Sequence, residues 1–154
     1  MKKIRMGVIG AGSIAAKHIS GIIASPDAEF TAICDVDSTA LNARADQYGV
    51  DPAYRFTDYR ALIDCPAVDA VSVCTSNHTH YEIAKAAIHK GLPLLLEKPV
   101  AMDYTQAEEL SVLAKEHNVP NMIAFSYRFI PAVRFARWLT REGHLGKILH
   151  IYGQ

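Results

Sequence analysis

Short apolar runs alternate along the whole chain with longer stretches in which apolar positions recur every three or four residues. That alternation predicts β-α-β units built around a parallel sheet. The predicted strands are Ile4 to Ile9, Glu29 to Cys34, Ala53 to Phe56, Ala70 to Cys74, Pro93 to Leu96 and Asn121 to Phe125. Several are apolar on consecutive residues, as expected of strands with helices over both faces. The expected fold class is α/β, a doubly wound parallel sheet of about six strands.

Polar residues punctuate the helices between these strands. Ser38 stands near the start of the second helix and Gly49 just past its end. Thr79-His80-Tyr81-Glu82 has the form of a capping box, with closure at Gly91 and Pro93 beyond, and Asp103 with Gln106 opens the next helix in a similar way. A last helix is expected from about Pro131 to Gly143, with Phe135, Trp138 and Leu139 on its apolar face, where packing is the expected role of Trp138. After Gly146, the run Lys147 to Gly153 has strand composition. The preceding sheet is already complete by then, so this run is expected to begin another sheet.

The first strand leads straight into Gly10-Ala11-Gly12-Ser13-Ile14-Ala15, which matches G-x-G-x-x-A between a strand and a helix. Gly10 allows the tight turn, Gly12 lets the backbone approach a pyrophosphate, and Ala15 permits close helix–sheet contact. The helix start at Ser13 and Ile14 supplies amide donors and the positive end of the helix dipole. The second strand ends in Asp35, where an acid is expected to accept hydrogen bonds from the adenosine ribose. Helix capping is the competing role for Asp35, although Asp37 or Ser38 can cap instead. Its charge would oppose the extra phosphate of NADP, Val36 to Leu41 contains no base, and Arg44 lies further along the helix. A Rossmann-type domain holding NAD, with NADP the less favoured cofactor, is the expectation.

Composition narrows the field. The 16 basic and 16 acidic side chains cancel, which gives no support for a nucleic-acid footprint or a polybasic membrane patch. No apolar run approaches the length of about 20 residues that spans a bilayer, and the start lacks a signal-peptide pattern. Three cysteines, Cys34, Cys65 and Cys74, form no close pair, so a reducing cytoplasm is expected, with Cys34 and Cys74 acting as small buried hydrophobes.

The order of the glycine loop, Asp35, Thr75-Ser76-Asn77-His78-Thr79-His80, Glu97-Lys98-Pro99 and Tyr127-Arg128-Phe129-Ile130-Pro131 resembles the Gfo/Idh/MocA family of NAD(P)-dependent sugar and inositol oxidoreductases. The resemblance covers the whole chain, and Glu-Lys-Pro is its most specific element. It implies that Thr75, Asn77 and His80 border the ribose and nicotinamide together with Glu97, that Lys98 faces the substrate and assists proton removal, and that the Lys98–Pro99 peptide is cis. Strand ends are where ligands gather in such a sheet, which places Asn77 and Lys98 near the expected site. Burial beside a cationic nicotinamide would favour the neutral, proton-accepting form of Lys98. The alternatives are a surface lysine at a strand end for Lys98 and an ordinary helix-surface position for His80. Arg128 could contact substrate or tie the last helix to the sheet. A metal site at His78 and His80 is discounted, because no further ligand stands at a matching spacing.

Family members continue into a second domain that supplies the substrate pocket and an acid–base histidine. Residues 1–146 are therefore expected to form the dinucleotide-binding domain, and 147–154 the start of a strand of that further α/β domain. The expected activity is hydride transfer between nicotinamide and a secondary alcohol of a sugar or polyol. Taken alone, the 154 residues are expected to be inactive, either as a truncated chain or as a short protein of its own. A non-catalytic NAD-binding module or sensor is the alternative. Ile148 to Tyr152 is expected to be disordered or paired with another copy, consistent with a homo-oligomer.

Overall fold

A computed structural model describes residues 2–152. Contacts divide the chain into a unit ending at Ala124 and a unit beginning at Phe125. The first unit contains strands β1 (Ile4–Ile9), β2 (Ala28–Cys34), β3 (Arg55–Phe56), β4 (Ala70–Val73), β5 (Leu94–Leu96) and β6 (Asn121–Ile123). Its helices are α1 (Ser13–Ala24), α2 (Ser38–Tyr48), α3 (Tyr59–Asp64), α4 (His80–His89) and α5 (Tyr104–Glu116). All strand pairs are parallel, in the order β3-β2-β1-β4-β5-β6. This is the doubly wound arrangement expected from the sequence, with the strand order reversing direction between β1 and β4.

Alternation along the strands sends neighbouring side chains to opposite faces and so builds two cores. Val8 and Ile33 pack with Ala15 and Ile19 of α1 and Leu41 and Ala45 of α2. Ile9, Val71 and Val73 pack with Leu62 of α3, Ile83 and Ile88 of α4, and Leu110 of α5. Burying one such aliphatic side chain contributes about 1.5–3 kcal/mol, which is why strands this short hold the sheet together.

Two local expectations need correction. Ala53 to Phe56 is not a four-residue strand: Asp51 caps a 3-10 turn at Pro52–Tyr54 by accepting the Ala53 amide, and only Arg55–Phe56 pairs with β2. The proline at the start of that turn explains the difference, since it fixes φ and donates no ladder hydrogen bond. The capping box at Thr79 also does not form. No side-chain bond caps α4, and the Thr79 hydroxyl lies 2.8 Å from both Thr75 Oγ1 and the Ser76 carbonyl oxygen. Asp103, by contrast, accepts the Gln106 amide at 2.9 Å while Gln106 Oε1 accepts the Met102 amide.

The second unit holds a 3-10 turn at Ser126–Phe129 and helix α6 (Pro131–Arg141), opened by Pro131 as expected. No residue of α6 is buried. Phe135 and Trp138 stack at 5.7 Å between ring centroids, and both remain about half exposed. The packing role expected for Trp138 is thus confined to Phe135 and to His144, whose ring lies 4.7 Å away. Residues 147–152 are exposed and carry no regular secondary structure, and Gly153, the end of the expected strand run, lies outside the described residues.

Candidate functional site

The turn from β1 to α1 is built around Gly10, whose φ is +104°. A Cβ on Gly10 would stand 2.6 Å from the Cys74 carbonyl oxygen, so only glycine fits between the two strand ends. At Gly12 a Cβ would meet nothing within 4 Å, so the glycine leaves free space over the loop. Helix α1 then starts with Gly12 as its cap, with no side-chain cap bond and no acidic residue in its first turn. The amides of its first turn are therefore not taken up by a capping side chain, the condition under which a helix start receives an anion.

Asp35 follows β2 directly and its carboxylate spans two loops. Oδ2 accepts the Ala11 amide at 2.6 Å and Oδ1 accepts the Asp37 amide at 2.9 Å. Capping of α2 falls to Asp37, which accepts the Thr39 and Ala40 amides. Arg44 is nearer than its sequence position suggests. About two helical turns beyond the cap, its guanidinium reaches back to the carbonyl oxygens of Ala11 and Gly12, both at 3.2 Å. The glycine loop is thus held by an acid on its amide side and a base on its carbonyl side.

Between these loops and the end of β4 lies a cleft of about 700 Å³ at the point where the strand order reverses. Gly10, Gly12, Ser13, Ile14, Asp35 and Thr75 all line it. Tyr59, His78 and Glu82, none of them expected from the sequence as cofactor contacts, line it too. Asn77, His80, Glu97 and Lys98 do not. Asn77 is exposed in the turn Asn77–Thr79 beside the cleft. His80 is fully buried, with Nδ1 2.7 Å from the Pro99 carbonyl oxygen and Nε2 3.1 Å from that of Thr75. This corrects the helix-surface alternative, since the ring clamps the β4–α4 turn to the turn after β5. Lys98 is exposed at the end of β5, and the Lys98–Pro99 peptide is cis.

Glu97 belongs to a polar chain that the sequence reading missed. Its Oε2 accepts the Lys98 amide at 3.0 Å, and its Oε1 lies 3.0 Å from Nε2 of His18 on α1. His18 Nδ1 lies 2.8 Å from Oγ of Ser72, a fully buried residue on β4. A signal was present in the sequence: position 18 falls one turn after Ile14 and Ala15, on the inward stripe of α1, where a polar side chain requires a partner.

Cys34 and Cys74 are buried free thiols, and desolvation pushes both up to about 12, so neither is an ionised nucleophile at neutral pH. A separate cavity of about 590 Å³ beside β5, β6 and α5 is lined mainly by apolar side chains such as Ile88, Leu96 and Leu110, with no acid, histidine or thiol. In the second unit, Arg128 shares a small cavity of about 310 Å³ with Arg134, Arg137 and Arg141. No helix among the described residues is long and apolar enough to cross a membrane.

Comparison with known proteins agrees with this geometry. The profile of the oxidoreductase family with an NAD-binding Rossmann fold, Gfo/Idh/MocA, matches residues 4–125. The chain is 31% identical to levoglucosan dehydrogenase of Pseudarthrobacter phenanthrenivorans, over 99% of its own length and 41% of the relative. It is 31% identical to inositol 2-dehydrogenase of Corynebacterium glutamicum, over 99% of its length and 45% of that protein. The crystal structure of scyllo-inositol dehydrogenase from Lactobacillus casei with bound NAD(H) and scyllo-inositol superposes with a TM-score of 0.89 at 25% identity, over 96% of this chain and 43% of that one. The chain spans less than half the length of each of these relatives.

Proposed function

Because this chain belongs to the Gfo/Idh/MocA oxidoreductase family, we propose that it is the cofactor-holding part of an NAD-dependent dehydrogenase acting on a secondary alcohol of a sugar or polyol. The observation that carries this reading is the cleft between the β1, β2 and β4 ends, with an uncapped helix start on one side and the Asp35 carboxylate on the other. The space over Gly12 and the donors of Ser13 and Ile14 suit a pyrophosphate, and Asp35 suits a ribose diol. NAD, when bound, supplies the hydride acceptor for alcohol oxidation.

The residues of this chain would divide the work along the cleft. Asp35 accepts from the ribose hydroxyls, and its charge opposes a 2′-phosphate; Arg44 gives that phosphate limited relief, because its guanidinium already serves Ala11, Gly12 and Gln47. Thr75 and Asn77 would border the nicotinamide ribose. Lys98, exposed at the end of β5, would take the alcohol proton once a substrate and a second wall enclose it. The dehydrogenase names of the relatives favour this over a sensor, and three free cysteines suit a reducing compartment.

Titration calorimetry with NAD and NADP tests the cofactor assignment, with tighter binding of NAD expected and equal or tighter NADP binding overturning it. Turnover is tested by nicotinamide absorbance with a panel of sugars and inositols. The 154-residue chain is expected to bind NAD without turnover, because positioning a substrate is worth about 7–11 kcal/mol of barrier and the chain spans less than half the length of the dehydrogenases it resembles. Robust turnover by this chain alone would refute that division of labour.

A further inference from the structure

We propose that His18 is the positioning residue for the nicotinamide end of the site, holding Glu97 against the Lys98 amide and so fixing how Lys98 is presented. The inference rests on the reading that the ends of β4 and β5 receive the nicotinamide half of the cofactor. Its physical basis is the hydrogen-bonded chain from Ser72 through His18 and Glu97 to the Lys98 backbone.

Donor and acceptor accounting fixes the direction of this chain. The Lys98 amide can only donate, so Glu97 Oε2 accepts it. A carboxylate has no hydrogen to give, so the 3.0 Å contact at Oε1 requires a hydrogen on His18 Nε2. In the neutral ring Nδ1 then accepts from the Ser72 hydroxyl at 2.8 Å. The same chain joins three elements whose ends shape the site: α1, whose start faces the pyrophosphate position, β4, which ends two residues before Thr75, and β5, which ends just before Glu97. The Glu97 amide is itself paired with the Val73 carbonyl oxygen at 3.0 Å, so the backbone at Glu97 is fixed to β4 while its side chain is fixed to α1.

Stability alone does not account for this arrangement. His18 and Glu97 keep only 10% and 12% of their side-chain surface exposed. A pair this poor in solvent loses hydration that its mutual attraction recovers only in part, and a well-packed apolar side chain at such a position is often as stable or more so. The pair instead commits both Glu97 oxygens, one to His18 of α1 and one to the next residue's amide. Lys98 then leaves the sheet from a backbone whose amide direction is set, immediately before the cis Lys98–Pro99 bond.

The test compares NAD with ADP-ribose, which carries the adenosine and pyrophosphate but no nicotinamide. Binding of each to the 154-residue chain is measured by calorimetry for the unaltered protein, His18→Leu and His18→Gln. His18→Leu is expected to weaken NAD by roughly tenfold while leaving ADP-ribose within about twofold, and His18→Gln, whose amide can donate to Glu97, is expected to recover most of the loss. Equal weakening of both ligands would mean a merely structural role, and no weakening of NAD would mean no role; either overturns the proposal. If ADP-ribose fails to bind the unaltered chain, the cofactor-cleft reading fails instead.

Nitrogen-15 NMR of the unaltered protein decides the positioning claim whether or not the variants fold. The His18 ring should carry a hydrogen on Nε2, and the Lys98 amide proton should show the downfield shift of a bond to a carboxylate. A His18 ring with Nε2 bare of hydrogen would overturn the chain from Ser72 to Lys98.

Discussion

The two ends of one sheet use polar residues in opposite ways. At the amino end, Arg5 of β1 and Asp69 just before β4 satisfy each other: the guanidinium donates to both carboxylate oxygens, at 2.8 and 2.7 Å, and the Arg5 amide adds a third bond at 3.0 Å. Little capacity is left for a ligand. At the carboxyl end the backbone is bent away from such closure. Gly10 turns the chain at a positive φ, α1 starts without a side-chain cap, and Asp35 holds two loop amides while still lining an open cleft. Closed pairs hold strands together, whereas a site keeps donors and acceptors that its own fold does not exhaust.

The largest effect expected from breaking this contrast is at Gly10. In Gly10→Ala the new Cβ meets the Cys74 carbonyl oxygen, and the alanine is held in a region that costs non-glycine residues about 1–3 kcal/mol. Differential scanning calorimetry should show a lowered Tm, and NAD binding should fall by about 100-fold or more as the loop shifts to relieve the contact. An unchanged Tm together with unchanged affinity would mean that the turn is not set by this approach. Asp35→Ala should act more selectively. Losing hydrogen bonds to a charged acceptor should weaken NAD by about 10- to 100-fold in calorimetric titration, while NADP, relieved of repulsion, weakens less. Equal losses for the two dinucleotides would assign Asp35 to loop support alone.

Much of this contrast was legible in the sequence, and the gaps have physical reasons. Strand identity followed from apolar runs buried on both faces, and the glycine loop and Asp35 from local backbone demands at fixed spacing. What could not be read were partnerships between residues distant in sequence. His18 and Glu97 are 79 positions apart, and only the packing of α1 on the sheet brings the His18 side chain within reach of Ser72 and Glu97. Arg44 was set aside as too far along its helix, yet the helix returns it to the loop 33 residues earlier. His80 showed the reverse problem: its place in a first turn suggested an ordinary helix-surface position, while the ring is fully buried and bonded to the turn after β5. The periodic apolar face of α6 was equally visible, but periodicity states only that a face is available for burial, and within its own unit that face is open.

The smallest expected effect is at the amino end and separates the two ends by pH. The Arg5 guanidinium, and then the Arg5 amide, hold the Asp69 carboxyl well below the usual carboxylate range. A group whose folded value is depressed contributes stability that is present above its unfolded value, about 3.9, and is lost as pH falls through the folded value. The intact chain should therefore lose this contribution progressively below about pH 4, where the unfolded Asp69 takes up a proton that the folded one resists. Asp69→Asn lacks that titration, so its Tm should be lower than that of the unaltered chain at pH 7, and the gap should begin to narrow as pH falls below about 4. The effect is modest because the pair is partly exposed, with 26% and 36% of the two side chains accessible, and added salt should reduce it further. NAD affinity at pH 7 should stay within about twofold, since Asp69 lies at the opposite end of the strands from the cleft. A large loss of NAD binding in Asp69→Asn would mean that the two ends are coupled through β1 and β4, and that the division between a closed end and a receptive end does not hold.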